Sequence, residues 1–311
     1  MASSLYVHKI YNRIKSFQNP FSNRYQIVND ESNLSCIPFF IIGSGRSGNT
    51  LLRSILSGNS DISIPPESYR LPFAIKRFHI SNNRDWKELF PEVLDEFKNC
   101  KEFYTWDINL QEVHNRLDSI DESKRTLSNI FDELYCTYSE KHNPGSKLWG
   151  DKTPLNTLYL DWISNVFPQS KFIHIIRDGR DVVSSYLEMK RYSSVDEASK
   201  RWNHSINFAQ RFGSKIGDNY MEIRYESLVN KPEEVIMEVC NFLDVEYDAK
   251  ILDHTSQIDK MGDTDKSHHS NLSKPISSES VGKWKNNLSE NRQKKVTKLL
   301  YNSLHRLGYI D

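Results

Sequence analysis

Gly43, Gly48 and Thr50 fall at the spacing G-x-x-x-x-G-[K]-[ST] in the stretch Gly43-Ser44-Gly45-Arg46-Ser47-Gly48-Asn49-Thr50. Glycines let such a loop wrap with its backbone N–H groups facing inward, and a helix behind it adds the positive end of its dipole. The chemistry of the stretch is therefore oxyanion binding, of a phosphate or a sulfate. Asn49 stands where an ATP-binding loop carries the lysine that reaches the β- and γ-phosphates, which argues against an ordinary ATPase or kinase. Arg46, inside the loop, offers a planar cation in its stead.

A cradle of this kind needs a strand before it and a helix after it. The apolar run Ile37 to Ile42 supplies the strand, and Gly48 to Ser57 reads as the helix, closed by Gly58-Asn59. Ile62-Ser63-Ile64 is a second short strand that stops at Pro65-Pro66. From Arg84 to His142 the apolar residues recur at three-and-four spacing, as at Ile130, Leu134 and Tyr138, which predicts helices. A helix is expected from Pro154 to Phe167. Lys171 to Ile176 is continuously apolar around His174, as a buried parallel strand requires. His174 reads as a packed histidine with its polar atoms satisfied. Helices from Val182 and Val195, a strand at Met221–Tyr225, and helices at Pro232–Leu243 and Ser289–Leu307 complete the chain. Strands alternating with helices give an α/β protein, a three-layer α/β/α P-loop fold with a central parallel sheet and a helical cap insertion. The expected organisation is an N-terminal arm over 1–35 and a single catalytic domain over 36–311. Its cap insertion covers about 69–145, and a polar loop over 255–282 is placed to close on a ligand.

Lysine plus arginine and aspartate plus glutamate each number 41, so the formal charge is zero and no bulk field draws the chain to nucleic acid. Cys36, Cys100, Cys136 and Cys240 are scattered without a CxxC pair and read as reduced, structural thiols. The adjacent His268-His269 has no acidic cluster beside it, so no metal is expected. The N-terminal residues lack the apolar core of a signal peptide, and no stretch approaches the roughly 18 apolar residues of a membrane span. A cytoplasmic location is the expectation.

Parallel sheets bind ligands at the C-terminal ends of their strands. Besides the loop, polar clusters fall there at Pro65-Pro66-Glu67-Ser68, at Arg177 with Ser184 and Ser185, and at Tyr225-Glu226; Asp151-Lys152-Thr153-Pro154 could join them. At these positions the sequence resembles the sulfotransferase superfamily, whose members move a sulfuryl group from 3′-phosphoadenosine 5′-phosphosulfate (PAPS) to an acceptor. Gly45-Arg46-Ser47-Gly48-Asn49-Thr50 is similar to its 5′-phosphosulfate loop, usually R-S-G-T-[TS]. Ile175-Ile176-Arg177-Asp178-Gly179-Arg180-Asp181-Val182-Val183-Ser184-Ser185 is similar to its 3′-phosphate segment. Arg224-Tyr225-Glu226-Ser227-Leu228 and Gly282-Lys283-Trp284 match two further landmarks. The likeness spans about residues 37 to 285 and is nearest to the branch of protein-tyrosine sulfotransferases and their bacterial relatives. Asn49 departs from the family's threonine, and the transmembrane helix of the branch's membrane-anchored enzymes has no counterpart here.

The resemblance implies in-line transfer to a hydroxyl, with Glu67 as general base and Arg46, Lys152 and the loop N–H groups stabilising the developing charge. Gly45, Arg46, Ser47, Gly48, Asn49 and Thr50 would hold the phosphosulfate, and Arg177 with Ser185 the 3′-phosphate. Tyr225 and Lys283 would complete the nucleotide pocket, with PAP (3′-phosphoadenosine 5′-phosphate) as the product. The acceptor could be a carbohydrate, a peptide tyrosine, a lipid headgroup, or a small alcohol or phenol. Its selectivity is expected in the insertion 69–145 and the loop 255–282. A P-loop nucleotide or metabolite kinase and a non-catalytic nucleotide-binding module are the alternatives.

Overall fold

The computed structural model describes residues 24–28, 34–255 and 274–311. The expected arm over 1–35 and loop over 255–282, with His268-His269, lie mostly outside the described residues. Among those described, five strands form one wholly parallel sheet: β1 (Ile37–Ile42), β2 (Ile62–Ser63), β3 (Leu148–Lys152), β4 (Lys171–Ile176) and β5 (Tyr220–Arg224). Their order is β2-β3-β1-β4-β5. From β1 the chain runs outward to β2 and back through β3; from β4 it runs the other way, to β5. The reversal leaves a crevice beyond the C-terminal ends of β1 and β4, where open α/β sheets bind ligands.

The described helices are α1 (Asn49–Leu56), α2 (Leu71–Ser81), α3 (Trp86–Lys98), α4 (Leu110–Ser119), α5 (Leu127–His142) and α6 (Leu160–Val166). They continue with α7 (Gly179–Glu188), α8 (Val195–Ile216), α9 (Tyr225–Asn230), α10 (Pro232–Leu243), α11 (Trp284–Asn287) and α12 (Glu290–Arg306). The period-two alternation of β1 splits its side chains between two cores. Phe39 and Ile41 join Ile173, Ile175 and Ile223 under α1 and α10. Phe40 turns to the other face, stacked at 5.2 Å on Phe172 and edge-on at 6.0 Å to Trp149, beneath α2–α6 and part of α8. A third cluster joins Ile176 to α7, α8 and α12. Helices cover both faces of the parallel sheet, as the alternating pattern requires.

Three local readings change. Leu148–Lys152, which carries no continuous apolar run, is the strand between β1 and β2. Gly150 hides it: the Phe39 ring fills the space where a Cβ on residue 150 would sit, 2.5 Å from its Cζ. The buried Asp151 is tolerated in the strand because Tyr135 and Asn156 donate to its carboxylate. The helix expected from Val182 begins earlier, at Gly179, because the Asp178 carboxylate caps it by accepting from the Arg180 N–H at 2.8 Å. The helix expected over Pro154–Phe167 divides into a 3₁₀ turn, Pro154–Leu158, and α6.

Candidate active site

The turn after β1 takes its shape from two residues in left-handed backbone, Arg46 (φ 68°) and Gly48 (φ 99°). Gly48 also lies under the Tyr225 ring, so closely that a Cβ would stand 2.5 Å from Cδ2. Thr157 fixes the turn's entry, accepting from the Gly43 N–H at 2.8 Å and donating to its carbonyl at 2.9 Å. The Asn49 amide donates to the Ser44 carbonyl at 2.8 Å, so the residue in the lysine position braces the loop from within. Ser47 is fully buried and is absent from the cavity lining.

Glu67 follows β2 on a segment whose carbonyls are held by three buried donors. Arg53 Nε reaches Ile64 at 3.2 Å, Trp106 Nε1 reaches Pro66 at 2.9 Å, and Cys100 Sγ reaches Ser68 at 2.8 Å. The Lys152 ammonium, brought in by β3, pairs with Glu67 Oε1 and donates to Thr50 Oγ1 at 3.2 Å. A largely buried carboxylate is thus linked through one ammonium to the first turn of α1.

Arg177, at the end of β4, donates to the carbonyls of Arg46 (3.0 Å) and Ser280, and its guanidinium lies 4.5 Å from the Tyr225 ring centroid. Its Nε is buried and has no partner among the described residues. Burial first, and then the Arg177 charge, lower the Arg46 pKa from its ordinary value. Two guanidiniums held together at the cost of mutual repulsion make a site that favours an anion between them. Arg46 Nε donates to Ser185 Oγ at 3.1 Å, which leaves the Ser185 proton free to be given to a ligand. Ser184 Oγ is buried without a partner among the described residues and also lines the cavity. Asp181 accepts from the backbone N–H groups of Gly282 (2.8 Å) and Trp284 (2.9 Å), which sets Lys283 on the rim. Glu226, next to Tyr225, is structural: it accepts from the Asp178 N–H and from the Tyr309 hydroxyl, both at 2.9 Å.

These groups meet in one cavity of about 570 Å³. Gly45, Arg46, Gly48, Asn49, Thr50, Glu67, Arg177, Ser185, Tyr225 and Lys283 line it, while Lys152 lies behind Glu67 and Thr50. Six lysines and arginines face four carboxylates on its wall, and two of the four are engaged, Glu67 by Lys152 and Asp181 by backbone donors. The cavity wall therefore carries more positive than negative side chains, which favours an anion.

A model of the sulfotransferase family matches residues 38–249, more than half of the chain. The chain belongs to the sulfotransferase family. It is similar to a putative protein-tyrosine sulfotransferase of Caenorhabditis briggsae, 27% identical over 269 residues that cover 83% of this chain and 84% of that protein. It is also 26% identical to the protein-tyrosine sulfotransferase of Drosophila melanogaster over 284 residues, 88% of this chain but only about half (51%) of that protein's length. The sulfotransferase domain of the Synechococcus PCC 7002 olefin synthase shares its fold, with a TM-score of 0.63, 24% identity, and coverage of 89% of this chain and 97% of that domain. The protein is a sulfotransferase, an enzyme that moves a sulfuryl group to an acceptor.

In this sulfotransferase the wall away from the loop Gly43–Thr50 draws on only part of the expected acceptor region. Helices α2–α5 contribute no lining residue; their apolar faces are used against the sheet, where Phe40, Trp149 and Phe172 lie. The rest of the described lining comes from Tyr69 and 274–280, which lie inside the expected 69–145 and 255–282, and from Pro154, Leu155, the segment 186–192, Arg201 and His254. Thr157, Tyr69, Tyr186 and Arg201 are site residues that the sequence reading did not single out. Tyr186 and Arg201 sit on helix faces that look like ordinary amphipathic surface, and Thr157 is in a turn. Only Tyr69, two positions after Glu67, carried a positional signal.

Proposed function

We propose that this sulfotransferase uses PAPS as donor and a hydroxyl-bearing acceptor, with Glu67 as general base. The observation that carries the reading is the link Glu67–Lys152–Thr50, which ties a largely buried carboxylate to the loop Gly43–Thr50 inside the cavity that also holds Arg46 and Arg177. PAPS, when bound, supplies the sulfuryl group and a phosphate leaving oxygen. Glu67 takes the acceptor's proton as its oxygen attacks sulfur. Lys152, adjoining both Glu67 and the loop, stabilises the negative charge that builds on the transferring and leaving oxygens, together with Arg46 and the N-terminus of α1. Arg177 Nε and the Ser185 hydroxyl have donor capacity left for the 3′-phosphate, and Tyr225 presents its ring beside them. Lys283 adds a cation at the rim.

Tyrosyl peptides are the first acceptors to try, because the named relatives are protein-tyrosine sulfotransferases. The test is transfer of labelled sulfate from PAPS to peptide-tyrosine, carbohydrate and small phenol acceptors. Glu67→Gln should lower kcat by about 10²–10⁴ while PAP binding persists. Full turnover in Glu67→Gln would remove the base assignment, and an inactive wild type across the panel would remove the donor and acceptor reading.

A further inference from the structure

The stretch that follows β4 touches the loop Gly43–Thr50 three times. Arg177 donates to the Arg46 carbonyl at 3.0 Å, and Ser185 accepts from Arg46 Nε at 3.1 Å. Tyr186, the next residue of α7, makes the third contact: its hydroxyl hydrogen-bonds Ser44 Oγ at 3.0 Å. Ser44 is fully buried and Tyr186 nearly so, although Tyr186 also lines the cavity. Ser44 is thus held at both ends, its carbonyl by the Asn49 amide and its hydroxyl by the phenol. Tyr192 backs the phenol ring edge-on, with centroids 4.9 Å apart. Gly45 lies between the two α7 contacts and is not in left-handed backbone. A Cβ there would stand 2.9 Å from the Tyr186 hydroxyl but 3.5 and 3.6 Å from the nearest ring carbons, so it is the hydroxyl that calls for a glycine.

We propose that Tyr186 is a positioning residue that acts through Ser44, fixing the start of the oxyanion loop against α7 and so setting the span between the loop and the anion site at Arg177 and Ser185. The inference rests on the reading of these two places as the seats of the 5′-phosphosulfate and 3′-phosphate of PAPS. A ligand with two anionic groups binds tightest where their span is preset, because the loop then need not be ordered on binding. A loop held in place also keeps its N–H groups where charge develops during transfer. Burial raises the phenol's pKa against the opposing pull of Arg201, so the hydroxyl stays neutral and keeps its hydrogen bond. Adjacent residues of one helix therefore serve both ends of the donor, Ser185 at the 3′-phosphate and Tyr186 at the loop.

The test compares, by calorimetry, the binding of PAP and of adenosine 3′-monophosphate, which lacks the 5′ group. Tyr186→Phe keeps the ring against Tyr192 and removes only the hydroxyl. It should weaken PAP about tenfold and leave adenosine 3′-monophosphate within about twofold of wild type. Ser44→Ala removes the same bond from the loop side, should reproduce the loss, and covers the case in which the phenylalanine variant fails to fold. Because the two side chains form one contact, the double variant should also lose only about tenfold. Tyr104→Phe, at a phenol 80% exposed and outside the cavity, should change neither affinity. Wild-type affinity for PAP in both single variants, an equal loss for the two nucleotides, or a roughly hundredfold loss in the double variant would each overturn the proposal. A wild type that binds neither nucleotide would sink the donor reading, and amide hydrogen exchange would then decide the role of the phenol. Exchange over Ser44–Gly48 should be about tenfold faster in Tyr186→Phe, with that of β4 unchanged; equal rates in the loop would overturn the proposal.

Discussion

At the scale of single residues, the pair Lys152–Glu67 carries most of the chemistry proposed here. The Lys152 side chain is fully buried and that of Glu67 is 11% exposed, so neither charge is well solvated without the other. A buried pair of this kind is poor evidence of stabilisation, but breaking it is expensive. Lys152→Met keeps the stem's volume and removes the ammonium. We expect kcat to fall by about 10²–10³ through lost charge stabilisation, and the folded state to lose up to about 3 kcal/mol. Urea unfolding alongside initial rates separates the two effects. In the double variant Glu67→Gln/Lys152→Met most of the stability should return while activity does not. A single variant with wild-type kcat would show that Lys152 serves packing alone.

At the scale of elements, β4 does two things: it delivers Arg177 to the crevice, and it carries a histidine through the middle of the sheet. His174 is fully buried, with Nδ1 2.6 Å from the Tyr220 hydroxyl and 3.3 Å from Glu222 Oε1. Its Nε2 is buried without a partner among the described residues, so the packed histidine expected from the sequence is satisfied there at only one nitrogen. Burial pushes its pKa below the ordinary value, against the smaller opposing pull of Glu222. The folded chain therefore refuses a proton that the unfolded chain accepts below about pH 6.5. The stability tied to His174 is complete above that pH and is lost as the pH falls towards the lowered folded-state value. The slope approaches about 1.4 kcal/mol per pH unit where the two states differ by one proton. Denaturant midpoints between pH 7.5 and pH 5 (chosen to bracket about 6.5) should fall less steeply in His174→Gln than in wild type. Equal slopes would place the proton uptake elsewhere.

At the scale of the whole molecule, the site exists because strands distant in sequence end side by side. Thr50 and Glu67 come from the chain around β1 and β2, Lys152 from β3, Arg177 and Ser185 from β4 and α7, and Lys283 from just before α11. A ligand that bridges these elements should stabilise the entire fold. PAP at a hundred times its Kd should add about 2.7 kcal/mol, seen as a higher Tm, and Arg177→Ala should abolish most of that gain. A shift produced by Mg-ADP and not by PAP would contradict the donor proposed here and favour a kinase.

Local order was legible in the sequence wherever one period or one motif sufficed. The run Lys171–Ile176 gives β4 to the residue, the Gly43–Thr50 spacing gives the turn between β1 and α1, and the helix read over Pro232–Leu243 is α10. The sequence also named Glu67, Arg177 and Ser185, because each follows a strand end at a spacing that the sulfotransferase resemblance makes meaningful. It did not disclose β3, since Gly150 and Asp151 break the apolar signal and are acceptable only where Phe39 fills the glycine's space and Tyr135 and Asn156 satisfy the carboxylate. Nor could it show that the helices of the insertion are spent on the sheet or that Asn49 braces its own loop. Strand periodicity and loop spacing are properties of adjacent residues and survive in one dimension. Which charge meets which carboxylate depends on strand order and on a few left-handed backbone angles, and only the packed chain sets those.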